Sequence, residues 1–187
     1  EAGSGYDVVK NLEKFQGLEL NQEISSKLIE AGAGNVVADN LEKFQGLEPN
    51  QEIVLRLFEA GSGFWVAKNL EKFQGLDHKE IALKLIEAKE SYAVRDHLKN
   101  FQGLDQEIAI KLIEAGEGDV VAENLEKFQG LDHREIVLKL IEAKRSYAVT
   151  HNLKNFQGLD HKEIASKFFE LGWRRDVVVN LEKFQGL

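Results

Sequence analysis

Apolar residues recur with a helical period along the chain, in two alternating patterns. The first pattern is the stretch EIALKLIEA, in which Ile81, Leu85 and Ala88 fall on one face of a helix. Ala82 and Ile86 widen that face. The pattern predicts one helix in each repetition of this stretch, called helix A below.

The second pattern is the stretch DVVAENLEKFQG, in which Val121, Leu125 and Phe128 follow an i, i+4, i+7 spacing. It predicts a second helix, called helix B, that continues to Gly130 and its equivalents. The apolar period is helical throughout and Asn-Gly turn dipeptides do not occur, so no strands are expected.

The ends of helix A carry their own signals. Asp77 can cap the free N–H groups of the first turn, with Glu80 three residues later as in a capping box. The same pair recurs as Asp132 with Glu135 and as Asp160 with Glu163. Pro49, the only proline, stands where a helix start tolerates the missing N–H. Left-handed residues that end helix A are expected at Gly32, Gly61 and Gly116.

The two-helix unit repeats along the whole chain, and its FQG phenylalanines are spaced by 29, 29, 28, 27, 28 and 28 residues. The length changes fall just after FQGL, which marks a loop. One helical pair cannot bury its apolar face alone, whereas stacked pairs form a continuous core. We therefore predict an all-α fold, a right-handed α-solenoid of 13 helices that forms one elongated domain over residues 1–187. The repeats end near residues 18, 47, 76, 104, 131, 159 and 187. The sequence begins within a repeat, so a fragment of a longer array is expected.

Several positions do not vary between units. A valine and a phenylalanine of helix B are constant, which predicts core packing. Asparagine precedes the helix B leucine in six units, with His97 in the seventh, and glutamine follows the phenylalanine in all seven. Either the amides pair with the backbone of a neighbouring loop, or each makes one identical contact to a repetitive ligand.

Composition narrows the classes of function. The chain has no cysteine and a net charge of -8, which argues against thiolate chemistry and against broad phosphate or anionic-membrane affinity. No catalytic motif is found, and His78, His133 and His161 stand in equivalent positions that stacking holds too far apart to share a metal. We expect no enzyme activity, cofactor, metal or membrane partner. The lack of cysteine and of a signal peptide weakly favours an intracellular location.

Variation is concentrated between helix A and the first turn of helix B. Equivalent loops of a solenoid line up along one edge, and aromatic residues are enriched where proteins bind partners. We therefore predict a partner-binding ridge made of these variable residues. Its members are Tyr6, Asn35, Phe64, Trp65, Glu90, Tyr92, Glu117, Asp119, Arg145, Tyr147, Trp173 and Arg175.

These repeats resemble α-solenoid proteins broadly, including HEAT-like arrays. They also resemble transcription-activator-like effectors, in which near-identical two-helix repeats differ at a loop and each loop reads one DNA base. LDHKEIALKLIEA matches the first helix of such a repeat, and GEGDVVAENLEKF matches the loop and second helix. The resemblance implies an α-solenoid fold and, for the effectors, a nucleic-acid partner.

The leading hypothesis is a non-enzymatic scaffold that binds a protein or peptide along the ridge, which suits the negative charge better than nucleic acid does. One alternative is modular nucleic-acid binding through the N-termini of helices B. Another is a structural spacer or self-assembling array. Val8 and Val177 are expected in exposed apolar end layers that stack end to end, so that charged substitutions there would abolish association.

Overall fold

A computed structural model describes residues 22–44 and 50–184, and twelve α-helices account for most of these residues. The predicted all-α class is confirmed for this part of the chain. The helices A are α1 (Gln22–Glu30), α3 (Gln51–Glu59), α5 (His78–Glu87), α7 (Gln106–Glu114), α9 (His133–Glu142) and α11 (His161–Glu170). The helices B are α2 (Gly34–Asp39), α4 (Gly63–Lys68), α6 (Ser91–Asp96), α8 (Gly118–Glu123), α10 (Ser146–Asn152) and α12 (Arg174–Val179). The first predicted helix B lies outside the described residues. No helix among those described is long and apolar enough to cross a bilayer.

The predicted ends of helix A are confirmed. The Asp77 carboxylate accepts hydrogen bonds from the backbone N–H groups of Lys79 and Glu80, at 2.9 and 3.2 Å. Asp132 and Asp160 cap α9 and α11 in the same way. Left-handed residues follow helix A at Gly32, Gly61 and Gly116, with φ of 79°, 67° and 95°. Pro49 lies outside the described residues.

Helix B is shorter than predicted. Its α-helical part ends at or just before the repeated asparagine, and a 3₁₀ turn follows instead of a continuous helix. These turns are Leu41–Lys43, Leu70–Lys72, Leu98–Asn100, Leu125–Lys127, Leu153–Asn155 and Leu181–Lys183. At Asn124 the side-chain amide donates to the Val120 carbonyl at 2.8 Å, which satisfies an acceptor of the last α-helical turn.

The recurring asparagine has the same structural role in five described units. The other four bonds join Asn40 to Val36, Asn69 to Trp65, Asn152 to Ala148 and Asn180 to Asp176. The predicted pairing with a neighbouring loop is therefore wrong for this residue, because the amide donates to the backbone of its own helix. The sequence predicted one continuous helix through this point, because the apolar residues after the break are buried as a continuous helix would bury them.

The constant apolar residues form the core. The helix B valine is at most 1% exposed in all six described units, and the phenylalanine is 4–6% exposed. The two helices of each unit contact each other, and equivalent helices of successive units also meet, as in the contacts of α1 with α3, α7 with α9, α2 with α4 and α8 with α10. This arrangement is compatible with a helical repeat.

The expectation of no strands is wrong at one junction. Two-residue strands β1 (Leu104–Asp105) and β2 (Phe128–Gln129) pair in parallel. They lie at the start and the end of the shortest interval between FQG phenylalanines, 27 residues, where DQEI replaces DHKEI. In the DHKEI unit the His78 Nδ1 accepts from the Gln102 backbone N–H at 3.0 Å, and His133 bonds Gln157 likewise at 2.7 Å. The shorter DQEI loop has no histidine at this position, and the backbone of β1 pairs directly with the backbone of β2.

Candidate partner-binding surface

The predicted ridge residues fall at the junction between helix A and helix B, and only some of them are open to a partner. Tyr92 is 40% exposed and Tyr147 is 67% exposed, and Arg175 is also exposed. The remaining described members are half-buried: Asn35, Phe64, Trp65, Glu90, Glu117, Asp119, Arg145 and Trp173. Tyr6 lies outside the described residues.

One aromatic cluster joins α4 to α6. It consists of Phe64 and Trp65 in α4, Tyr92 in α6, and His97 directly after α6. The Phe64 ring is stacked near Tyr92 at 6.0 Å between centroids and meets Trp65 and His97 edge-on at 5.6 and 4.8 Å. The Lys68 ammonium lies 4.3 Å from the centre of the Trp65 ring. Phe64 therefore supports the cluster from within, and Tyr92 forms its outer part.

Tyr147 holds the position in α10 that Tyr92 holds in α6. Its ring stacks on His151, one helical turn later, at 5.1 Å between centroids and 18° between planes. A ring held in this way loses little conformational freedom when a partner binds, which lowers the entropic cost of association. The two tyrosines are thus supported aromatic side chains at equivalent positions.

Trp173 does not belong to this open surface. Its ring packs edge-on against Phe168, 5.4 Å away, and Phe168 is fully buried. The tryptophan therefore covers the C-terminal end of α11, as the hydrophobic contact of a Schellman motif does, and its backbone N–H donates to the Phe168 carbonyl at 2.8 Å. Its contribution is to the stability of the last unit.

The charged ridge residues join successive units. Glu117 accepts hydrogen bonds from the Ser91 hydroxyl at 3.2 Å and from the Arg95 guanidinium at 3.2 Å, both in the preceding unit. Arg145 donates to the Asp119 carboxylate at 3.1 Å and to the Gly116 carbonyl at 2.6 Å. These ridge side chains are half-buried and form contacts between neighbouring units.

Close packing by the next unit favours a small first residue in helix B. A Cβ at Gly34 would lie 2.5 Å from the Ser62 Oγ, and a Cβ at Gly118 would lie 2.8 Å from Leu140 Cδ2. Two units have serine at this position, and the last described unit has Arg174. The next unit therefore fits closely over the start of each earlier helix B, except at the last one.

Sequence reasoning missed three residues of this surface: His97, His151 and Arg95. His151 was detectable, because it follows Tyr147 by four residues and so shares its helix face. The other two were not, because their partners Phe64 and Glu117 stand in adjacent units and only the stacking brings them together.

His97 gives the aromatic cluster a dependence on pH. Burial lowers the pKa of His97 below its usual 6.5, against the opposing effect of Asp96, while Lys68 and Lys99 lower it further. Its Nε2 is buried and has no hydrogen-bond partner in the described part of the chain. Protonation therefore favours the unfolded chain, so stability is present above pH 6.5 and declines as the pH falls below it.

We expect the melting temperature to fall between about pH 7.5 and 5.5, and to fall less in the His97→Asn variant, since asparagine is the usual residue here. Thermal unfolding followed by circular dichroism at both pH values measures the difference. Burial also lowers the pKa of His78, so part of the dependence remains in the variant. Equal losses in both proteins would exclude His97 as a source.

The exposed apolar residues of the last unit differ in part from those predicted from the sequence. Val177 is 1% exposed and Phe168 is fully buried, so neither is available for stacking. The exposed apolar residues of the last unit are Phe169, Leu171, Val178, Val179 and Leu181, at 44–66%. Val8 lies outside the described residues.

No protein-family model, curated protein or solved structure matches the chain. Within residues 22–44 and 50–184, no group of three histidine or acidic side chains is placed to hold a metal ion. The exposed tyrosines and the contacts between units are therefore the features from which a function can be inferred.

Proposed function

We propose that this chain is a non-enzymatic repeat scaffold that binds a protein or peptide through the outer face of its helices B. In this proposal the units stack into a single right-handed α-solenoid of 13 helices, HEAT-like in character. The contacts between equivalent helices of successive units support such stacking. A scaffold of this kind holds one variable side chain per unit at a fixed position.

The observation that carries the proposal is the exposure of the two tyrosines. Tyr92 and Tyr147 remain 40% and 67% exposed, although each is followed by a buried alanine and valine in the same helix. Tyrosine offers a large apolar ring and a hydroxyl, a combination enriched in the energetic centres of protein interfaces. The supporting Phe64 and His151 rings fix both tyrosines in place.

Charge favours a protein or peptide over nucleic acid. The net charge is -8, and Arg95 and Arg145 on this side of the molecule are already paired with Glu117 and Asp119. Phosphate contacts would give affinity that falls steeply with salt. A titration of DNA and RNA binding against salt concentration separates this alternative, because a steep slope would favour the nucleic-acid reading.

Self-association through the last unit is a lesser part of the proposal. Val178 and Leu181 are 66% and 53% exposed, and they are the residues whose replacement by lysine should weaken it. Arg174 opposes stacking in the geometry used between internal units, because glycine or serine stands there in the others. Any association of this kind is therefore expected to be weak.

We expect the double variant Tyr92→Ser/Tyr147→Ser to bind at least about tenfold more weakly than wild type, since interface tyrosines often contribute more than 1 kcal/mol each. The probes are peptides selected on the wild-type chain from a phage-displayed random library. Their affinity for each protein is measured by fluorescence anisotropy.

The matched control is Trp173→Ser, which removes an aromatic residue of the predicted ridge that packs on the core. It should lower the melting temperature and leave peptide affinity almost unchanged at a temperature where the protein is folded. Selected peptides that bind the double tyrosine variant as tightly as wild type would contradict the proposed surface.

A further inference from the structure

The opposite ends of the helices carry a second repeated feature, the glutamine of each FQGL turn. Gln74, Gln102, Gln129 and Gln157 are all exposed. None of their side-chain amides forms a hydrogen bond within the described part of the chain. The turn itself does not need glutamine, because its demanding position is the following glycine, with φ of 66° or 67° in these four units.

This constant residue without a hydrogen bond contrasts with the asparagine that recurs in six of the seven units. The asparagine that ends helix B bonds to its own backbone, which explains its recurrence. The residue two positions before the phenylalanine is also exposed but changes from Glu126 to Lys154 in the next unit. An exposed position can therefore vary between units, so the constancy of the exposed glutamine requires its own explanation.

Two successive junctions between units have a groove, and a glutamine lines the first of them. The equivalent glutamine of the second junction, Gln185, lies outside the described residues. The first, of about 650 Å³, has Leu125, Phe128 and Leu131 in its floor and Gln157 at its rim. The second, of about 750 Å³, has the equivalent floor of Leu153, Phe156 and Leu159. Each groove is large enough for an apolar side chain.

Charge in these grooves does not select for an anion or a cation. The first groove has Glu123 and Glu126 with Lys154, and the second has Glu182 with Lys154 and Lys183. A carboxamide both donates and accepts hydrogen bonds, which matches the peptide group better than it matches a phosphate. A neutral polypeptide backbone therefore fits this lining better than a charged polymer.

The spacing favours one backbone conformation. Equivalent packed helices lie ~8–10 Å apart. A polyproline II helix advances ~9.3 Å per turn of three residues, and its carbonyl groups have no internal partners. One apolar side chain per turn would meet one groove per unit, and one carbonyl per turn would meet one glutamine amide.

We propose that the edge formed by the FQGL turns is a second binding surface, and that it takes a polypeptide in the polyproline II conformation with an apolar residue at every third position. Each glutamine donates its amide N–H to a carbonyl of that peptide. Each Leu-Phe-Leu floor accepts the apolar side chain. This surface adjoins the exposed tyrosines at one point, because His151 lines the second groove and stacks on Tyr147.

The test uses a fluorescent peptide of repeated Pro-Pro-Leu triplets, long enough to span four units, and a Gly-Gly-Leu peptide of equal length. We expect wild type to bind the Pro-Pro-Leu peptide more tightly. The triple variant Gln102→Ala/Gln129→Ala/Gln157→Ala should bind it at least about tenfold more weakly, because three hydrogen bonds are lost. Its melting temperature should be unchanged, since the amides have no partners to lose.

Two further variants sharpen the result. The corresponding triple glutamate variant keeps the side-chain length but removes the donors, so it should also lose binding. The variant Tyr92→Ser/Tyr147→Ser should retain it, which separates this surface from the one in the proposed function. The proposal is overturned if wild type does not bind the Pro-Pro-Leu peptide, if it binds both peptides equally, or if the glutamine variants bind as wild type does.

Discussion

Replacing Phe168 by alanine is expected to lower the free energy of unfolding by ~3–5 kcal/mol, the usual cost of removing a buried phenylalanine ring. Phe168 is fully buried in α11. Its ring meets Trp173 at 5.4 Å and Phe184 at 6.3 Å, both edge-on. The cavity would therefore separate both helices of the last unit from their common core. Chemical denaturation followed by circular dichroism measures the change.

The neighbouring residue provides the control. Phe169 is the next residue of the same helix and is 44% exposed, so Phe169→Ala removes the same chemical group with a much smaller loss of buried contact. We expect its effect to be well below that of Phe168→Ala. Equal effects of the two substitutions would mean that α11 is rotated relative to the structure described above.

Replacing Gly34 by valine is expected to destabilise the contact between the first two described units by ~1–3 kcal/mol, as overpacking usually does. A Cβ at this position would lie 2.5 Å from the Ser62 Oγ and 3.1 Å from Leu57 Cδ2. Ser62 and Leu57 are themselves buried, at 6% and 0% exposure, so neither has free space to move into. Denaturation measurements on the variant give the cost.

A second substitution, Ser62→Gly, should restore space beside the valine. Ser62→Gly removes the atom nearest to the added Cβ, so Gly34→Val/Ser62→Gly should recover part of the lost stability. The sum of the two single effects should then exceed the effect of the double substitution. Strict additivity would contradict the close approach of these two units.

The sequence predicts the longer helices well because their signals are local. The Asp77 cap and the glycine stop at Gly116 each act within one turn, and both were read correctly. The end of helix B was missed because Val121, Leu125 and Phe128 are all buried, as a continuous helix would place them. At the break the Asn124 amide bonds to the Val120 carbonyl, and α6 ends at the equivalent place before His97. Apolar periodicity does not report this end.

The exposure of the proposed binding residues was predictable only in part, for a different reason. The variable segment and its tyrosines stand out in the sequence, and Tyr147 is indeed the most exposed tyrosine described. Glu117 and Arg145 stand out equally, but their partners lie 22–29 residues earlier in the chain. Which variable residue faces a partner and which faces the preceding unit depends on how the units stack, and a single unit does not contain that information.

The stacking of units is the claim on which both proposed binding surfaces depend, and small-angle X-ray scattering tests it most directly. A compact domain of 187 residues would have a radius of gyration of about 16 Å. Units stacked in one direction should give a clearly larger radius and a distance distribution with a long tail. A radius near 16 Å with a symmetric distribution would contradict the solenoid, and with it the alignment of one tyrosine position and one glutamine position per unit.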